Sequence, residues 1–267
     1  METIVHRRRV RIATGGCDLS GTDPAVVLVH GAGGDRTAWQ LQTRWLAHHG
    51  YRAVAADLPG HGRSEGPALG SIAAMAEWLV DLIAVLDLGR AHLVGHSMGS
   101  FVALEASRNR PEAVASLVLL GTAGTMPVHA DLLAAARADD PVAARLITSW
   151  GLGSRAHHGG HESPGMWLIG GNLAQLDLAP EGALGADLGA CEAYEGALDA
   201  ARALTCPVTF VLGREDRMTP NRRAADLIEA VADSHLVRLE RIGHFPHLEA
   251  PIAARRAIAE ALARTRG

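Results

Sequence analysis

The stretch Ala91-His92-Leu93-Val94-Gly95-His96-Ser97-Met98-Gly99 does most to limit what this chain can fold into. Its first four residues read as a buried strand, and an apolar-periodic helix starts at Ser100, directly after Gly99. The backbone must therefore pass from strand to helix within five residues. A G-x-S-x-G sequence in that setting raises a serine hydroxyl at the carboxyl edge of a sheet. Both glycines have a steric reason to be there. A turn this sharp puts Ser97 in a strained conformation, and a Cβ at position 95 or 99 would collide with the adjoining strand or helix. A strand-to-helix turn can also hold a serine without using it, so the surrounding sequence decides.

Strands are expected at 25–29, 52–56, 91–94, 117–120, 207–212 and 236–239, and helices at 37–49, 72–88, 222–231, from 100 and from 252. The first 20 residues read as one or two short strands broken at Gly15-Gly16. This alternation predicts an α/β fold with a mostly parallel central sheet flanked by helices. Between 122 and 203 the rhythm breaks into short helical pieces (130–138, 142–150, 167–176) with many glycines and no convincing strand. Residues 1–123 and 204–267 are therefore expected to form the core domain, with 124–203 inserted as an all-helical cap. Sites in such sheets lie beyond the carboxyl ends of the strands, here after Val29, Ala56, Val94 and Leu120.

Composition removes several chemistries. All 25 basic residues are arginine, which excludes a lysine nucleophile or Schiff base. A net charge of −4 leaves no footprint for nucleic acid. The local run Arg7-Arg8-Arg9 with Arg11 is interleaved with Val5, Val10 and Ile12 and reads as a solvated edge strand. No run approaches the ~18 apolar residues of a membrane span, and no signal-type apolar stretch follows the arginines. Cys17, Cys191 and Cys206 are odd in number and far apart, as expected for reduced thiols in a cytoplasmic protein. His157, His158 and His161 are spaced by glycines that work against a helix, so they read as exposed loop histidines and no metal is expected. A dinucleotide loop at Gly31-Ala32-Gly33-Gly34 fails because Arg36 stands where the third glycine belongs, and no cofactor is expected.

A serine hydroxyl is a weak nucleophile at neutral pH and needs a base and an orienting acid. In an elbow architecture these follow in the order serine, acid, histidine. The turn at 213–220 carries Glu215 and Asp216, and the loop at 241–247 carries His244 and His247. With HGAGG at 30–34, DLPGHGRS at 57–64, GHSMG at 95–99, GREDRMTP at 213–220 and GHFPHLEAP at 243–251, the chain resembles α/β-hydrolase-fold enzymes with a helical cap over essentially its whole length. The resemblance implies Ser97 as nucleophile, Asp216 as acid and His244 as base, with the Asp57 loop structural. It favours Asp216 over Glu215, and His244 over His247 and His96. An oxyanion hole would then use the main-chain N–H groups of Met98 and Ala32, with His30 holding the Ala32 loop.

The chemistry so implied is acyl transfer to water, on a small-molecule ester or lactone. A serine at the elbow excludes the dehalogenase and epoxide-hydrolase branches, whose nucleophile is a carboxylate. Trp150, Met166 and Trp167 of the cap, with Phe245, are expected to touch the substrate. These three cap residues and Leu152, Leu168, Ile169 and Leu173 fit either an apolar pocket lining or the cap's own small core, and the core is the expected place of most of them. Enol-lactonases, thioesterases, cofactor-free haloperoxidases and C–C bond hydrolases share the layout. The last typically carry a tryptophan after the histidine, where this chain has Phe245. A substrate carboxylate would keep the lactonase open through Arg145 or Arg155. A ligand receptor on the same fold is the non-enzymatic alternative.

Overall fold

Aliphatic and β-branched runs supply eight strands in the computed structural model, which describes residues 1–265. They are β1 (Glu2–Val5), β2 (Arg8–Ala13), β3 (Ala25–Val29), β4 (Arg52–Ala56), β5 (Ala91–His96), β6 (Val114–Leu120), β7 (Val208–Gly213) and β8 (Ser234–Leu239). They form one sheet in the order β1-β2-β4-β3-β5-β6-β7-β8, antiparallel at β1, β2 and β4 and parallel from there on. The break near the N-terminus falls at His6 and Arg7, both with positive φ, rather than at Gly15-Gly16. That hairpin makes β1 the edge, so most of the basic run lies in a strand paired on both sides. There Arg9 meets Glu65 and Arg11 meets Glu2.

The helices are α1 (Gln40–Ala47), α2 (Ile72–Val85), α3 (Met98–Asn109), α4 (Ala130–Arg137), α5 (Val142–Gly151), α6 (Ser154–His157), α7 (Leu168–Asp177), α8 (Ala183–Ala193), α9 (Ala197–Arg202), α10 (Ala225–Ala230), α11 (Pro246–Glu249) and α12 (Pro251–Ala263). Alternation along the strands sorts side chains to the two faces of the sheet. Val27, Val29, Leu93, Leu117, Leu119 and Phe210 pack with α2, α3 and α9. Val26, Leu28, Val94, Val118, Leu120 and Val211 pack with Trp39, Leu46 and the α12 residues Ala254, Ile258 and Leu262. Strands buried on both faces read as unbroken apolar runs, as β3 does in Ala-Val-Val-Leu-Val.

Between β6 and β7 there are helices only, α4 to α9. Leu132, Ala136, Ala143, Ile147, Leu152, Leu168, Leu184 and Leu188 form a separate small core for this cap, and Phe245 reaches into it from the sheet domain. The last of these helices behaves differently: Ala197, Ala200 and Ala201 of α9 are buried in the main core against α3. The insertion thus returns to the sheet domain before residue 203. Register brings the loops to one edge, because Val29 pairs with both Ala56 and Gly95, His96 with Leu120, and Leu120 with Val211.

Candidate active site

Ser97 sits between β5 and α3 with φ 52° and ψ −119°, a region that costs a non-glycine residue of order 1–3 kcal/mol. The surroundings hold it there. Its N–H donates to the Leu120 carbonyl (2.9 Å), and its carbonyl accepts from the Ser100 N–H (2.8 Å) and the Ser100 hydroxyl (2.5 Å). A Cβ on Gly95 would run into the Gly99 carbonyl, and one on Gly99 into the carbonyls of Val29 and His30. Both glycines are therefore required by close approach, as the spacing predicts. The Met98 side chain is buried in the core, so that residue contributes only its amide to the open side.

His244 follows β8 and Asp216 follows β7, and both side chains are buried. The His244 Nδ1–H donates to Asp216 Oδ2 at 2.9 Å. Asp216 is otherwise saturated: Oδ1 accepts from the Met218 and Thr219 amides (2.9 and 2.8 Å), and Oδ2 from the Thr219 hydroxyl (2.7 Å). A carboxylate held by four donors stays in one rotamer and fixes the imidazole tautomer, leaving Nε2 unprotonated. Glu215 points elsewhere, accepting from the Ser154 amide (2.6 Å) and hydroxyl (3.0 Å) of the cap. Those two donors lower its pKa.

The remaining histidines are structural in placement. His96 Nε2–H donates to the His244 carbonyl (2.8 Å), and burial, with His247 and His244 alongside, holds its pKa well below 6.5. His247 is buried and stacks on Trp39 (4.4 Å), its pKa pushed down to about 3 by burial and by His244. His30 Nδ1–H donates to the Gly31 carbonyl (2.9 Å) and its Nε2 accepts from the Leu58 amide (3.1 Å). Asp57 accepts from the Arg36 amide and guanidinium and from the Arg63 amide. His161 Nε2 bonds the Leu248 carbonyl and His158 Nδ1 the Ser154 carbonyl.

Gly31 lies against Ser97: a Cβ there would stand 3.3 Å from the Ser97 Cβ and 2.7 Å from His96 Nδ1. The loop after β3 therefore passes directly over the serine. Among the described residues neither the Ala32 nor the Met98 amide donates to a protein acceptor. Two free donors beside a serine at a helix start suit a developing oxyanion.

Two residues that sequence reasoning passed over tie this edge together. Asp187 of α8 is fully buried, and its Oδ2 accepts from the Gly33 amide (2.8 Å) and from His61 Nε2 (2.9 Å). Both His61 nitrogens face acceptors, the second being the Pro59 carbonyl (3.1 Å), an arrangement that favours the doubly protonated ring. Burial opposes that charge, but Asp187 and the hydrogen bonds outweigh it and raise the His61 pKa above 6.5. Glu249 is also buried. It accepts from the amides of Gly243 (3.0 Å), Phe245 (3.1 Å) and the cap residue Gly153 (2.8 Å). The Gly151 carbonyl completes this clamp by accepting the His244 amide (2.6 Å). Glu249 stood inside the GHFPHLEAP motif. Asp187 carried no sequence signal, since only its partner shows what it does.

Ser97 and His244 line two cavities. The larger, about 430 Å³, is walled by Ala32, Met126, Val128, Leu132, Trp150 and Leu188. The smaller, about 60 Å³, is closed by Phe245, Ile147, Leu176 and Leu248. Trp150 lines the larger cavity and Phe245 the smaller. Met166 and Trp167 line neither, and that expectation is corrected. They precede α7, which turns Leu168 and Asn172 inward, so both face outward and Trp167 is 68% exposed. Arg145 and Arg155 line neither cavity.

The alpha/beta hydrolase fold family model matches residues 24–251. The chain belongs to the alpha/beta hydrolase fold family. As a member it is a hydrolase, and its sheet order and helical insertion are those of the fold. Among similar proteins is a pimeloyl-[acyl-carrier protein] methyl ester esterase from Methylococcus capsulatus, 32% identical, over 86% of this chain and 91% of its own. A malate-bound thermophilic esterase from Thermogutta terrifontis superposes with a TM-score of 0.83 at 26% identity, covering 97% of this hydrolase and 95% of that chain. The enol-lactonase from Burkholderia xenovorans LB400 superposes with a TM-score of 0.86 at 19% identity, over 98% and 100% of the two chains.

Proposed function

We propose that this hydrolase is a serine esterase working through an acyl-enzyme on Ser97. His244 Nε2 takes the hydroxyl proton as Ser97 Oγ attacks the ester carbonyl, while Asp216 holds the imidazole and stabilises its charged form. The amides of Ala32 and Met98 receive the oxyanion. His244 then protonates the departing alcohol, activates a water on the acyl-enzyme, and returns the proton to Ser97. The observation that carries this reading is the strained Ser97 opening into the same cavities as an imidazole fixed at 2.9 Å on a saturated, buried carboxylate. The relative whose name makes it a methyl ester esterase supports an ester as the bond cleaved.

The test is labelling by a fluorophosphonate probe, combined with hydrolysis of p-nitrophenyl esters of rising acyl length. Ser97→Ala should abolish labelling, and Ser97→Ala or His244→Ala should cut turnover by about 10⁶. Retention of more than about a hundredth of the wild-type rate by Ser97→Ala would remove the serine from the mechanism. Trp150 and Leu132 wall the larger cavity. Each buried CH₂ is therefore expected to raise kcat/KM about fourfold until the cavity is full; a flat series would sink the apolar pocket.

A further inference from the structure

The rim of the larger cavity carries Arg217, Arg222 and Arg223, and no aspartate or glutamate lines it. All three arginines come from the loop and turn after β7, immediately beyond Asp216, and all three are exposed. Among the described residues none of them has an ion-pair partner. Arg217 uses one nitrogen on the Ser149 carbonyl (2.6 Å), and among the described residues the Arg222 and Arg223 guanidinium groups have no hydrogen-bond partner. Two acids stand near the cavity residues His129 and Val128: Asp131 is exposed beside His129, whose Nδ1 accepts the Asp131 amide, and Glu192 accepts from the Val128 amide. Glu215 accepts from Ser154, and the charge of Arg217 also helps to hold its pKa down, although the two form no ion pair.

Three unpaired guanidinium groups at one opening make a site for an anion, and the planar fork of arginine suits a carboxylate. The wall between rim and serine is apolar, with Met126, Val128, Leu132 and Trp150. The smaller cavity at Ser97 has room for only a few atoms. We propose that Arg217, Arg222 and Arg223 form a carboxylate subsite, so that the substrate is a half-ester of an aliphatic dicarboxylic acid with a small alcohol. Its free carboxylate sits at the rim, its chain lies along the apolar wall, and its ester carbonyl reaches Ser97. Hydrolysis consumes one water and releases the alcohol, the second carboxylate and one proton.

The substrate assignment rests on the esterase reading of Ser97, whereas the subsite itself does not, and the experiment separates the two. Initial rates are compared for monomethyl adipate and dimethyl adipate, which differ only in whether the distal carboxyl is charged or methylated. The wild type should prefer the monomethyl ester. Each exposed guanidinium contributes a factor of about two to five. The preference should therefore shrink by about tenfold or more in Arg217→Gln/Arg222→Gln/Arg223→Gln, by a smaller factor in Arg222→Gln alone, and in 0.5 M salt. A wild-type preference for the diester, or an equal loss on both esters in the variants, overturns the proposal. Calorimetric titration of Ser97→Ala with the same two compounds needs no turnover. Tighter binding of the monoester, lost on removal of the three arginines, upholds the subsite even if neither ester is hydrolysed, in which case the esterase reading fails alone. Equal or undetectable binding of the two overturns the subsite.

Discussion

At the scale of single residues, the adjacent acids Glu215 and Asp216 make the sharpest contrast. Both follow β7 and both accept hydrogen bonds, but only Asp216 faces the His244 imidazole. Asp216→Asn keeps the size of the side chain while removing the charge that favours the imidazolium, so kcat should fall by about 10⁴. Glu215→Gln should leave kcat within a few-fold and cost about 1 kcal/mol of stability, because it only weakens the Ser154 hydrogen bonds. Steady-state kinetics with thermal melts on both variants checks this, and a large kcat loss in Glu215→Gln would reverse the assignment. The proposed serine, acid and histidine could be picked out in order because each stands in a motif directly after a strand. The same motif reading offered several histidines, and only burial and partners sort them: His96 and His247 are packed and neutral, and His244 alone meets a carboxylate among the three.

At the scale of elements, the helix that matters most was the least visible. Helix α8 is buried around much of its circumference (Ala183, Leu184, Asp187, Leu188, Ala190, Cys191), so it shows no single apolar stripe, and Gly185 and Gly189 lower its intrinsic helicity. A sequence without periodicity hid it, whereas α2, with one apolar face and a Ser71 cap, announced itself. Met166 and Trp167 failed as pocket residues for the converse reason: their hydrophobicity is not matched by burial, because the chain before α7 runs outside the cap. Through Asp187, α8 meets both the Gly33 amide and His61. Removing one member of a buried pair costs about 3–5 kcal/mol, since the other charge is left stranded. Asp187→Asn should therefore lower stability by an amount of that order, and lower kcat more than it raises KM, because the loop carrying Ala32 loses its anchor. The His61 pKa is raised on folding, so its contribution is complete below about pH 6.5 and fades as pH rises through the folded value. Unfolding by urea across pH 6 to 9 should show this decline in the wild type and not in His61→Gln.

At the scale of the whole molecule, three buried histidines set the acid side of the stability curve. His30 (pushed to about 4), His247 (about 3) and His96 stay neutral in the fold, each mainly because burial disfavours the imidazolium. Below pH 6.5 the unfolded chain takes up protons that the folded chain refuses, so stability is retained above 6.5 and lost as pH falls. Each such histidine adds a slope of about 1.4 kcal/mol per pH unit. The loss should be steep between pH 6.5 and 5, shallower in His247→Phe, and opposed in sign to the alkaline decline from His61. Equal urea midpoints at pH 6.5 and 5 would contradict this account. The Asp187 bridge also bears on inheritance. Positions 33, 61 and 187 lie far apart in the chain yet meet at one carboxylate oxygen. The cap is therefore not a module that can be exchanged between relatives by cutting at its two ends. A chimera that receives a foreign cap without an acid at position 187 inherits a buried imidazole without its acceptor beneath it, and a slack loop over the serine.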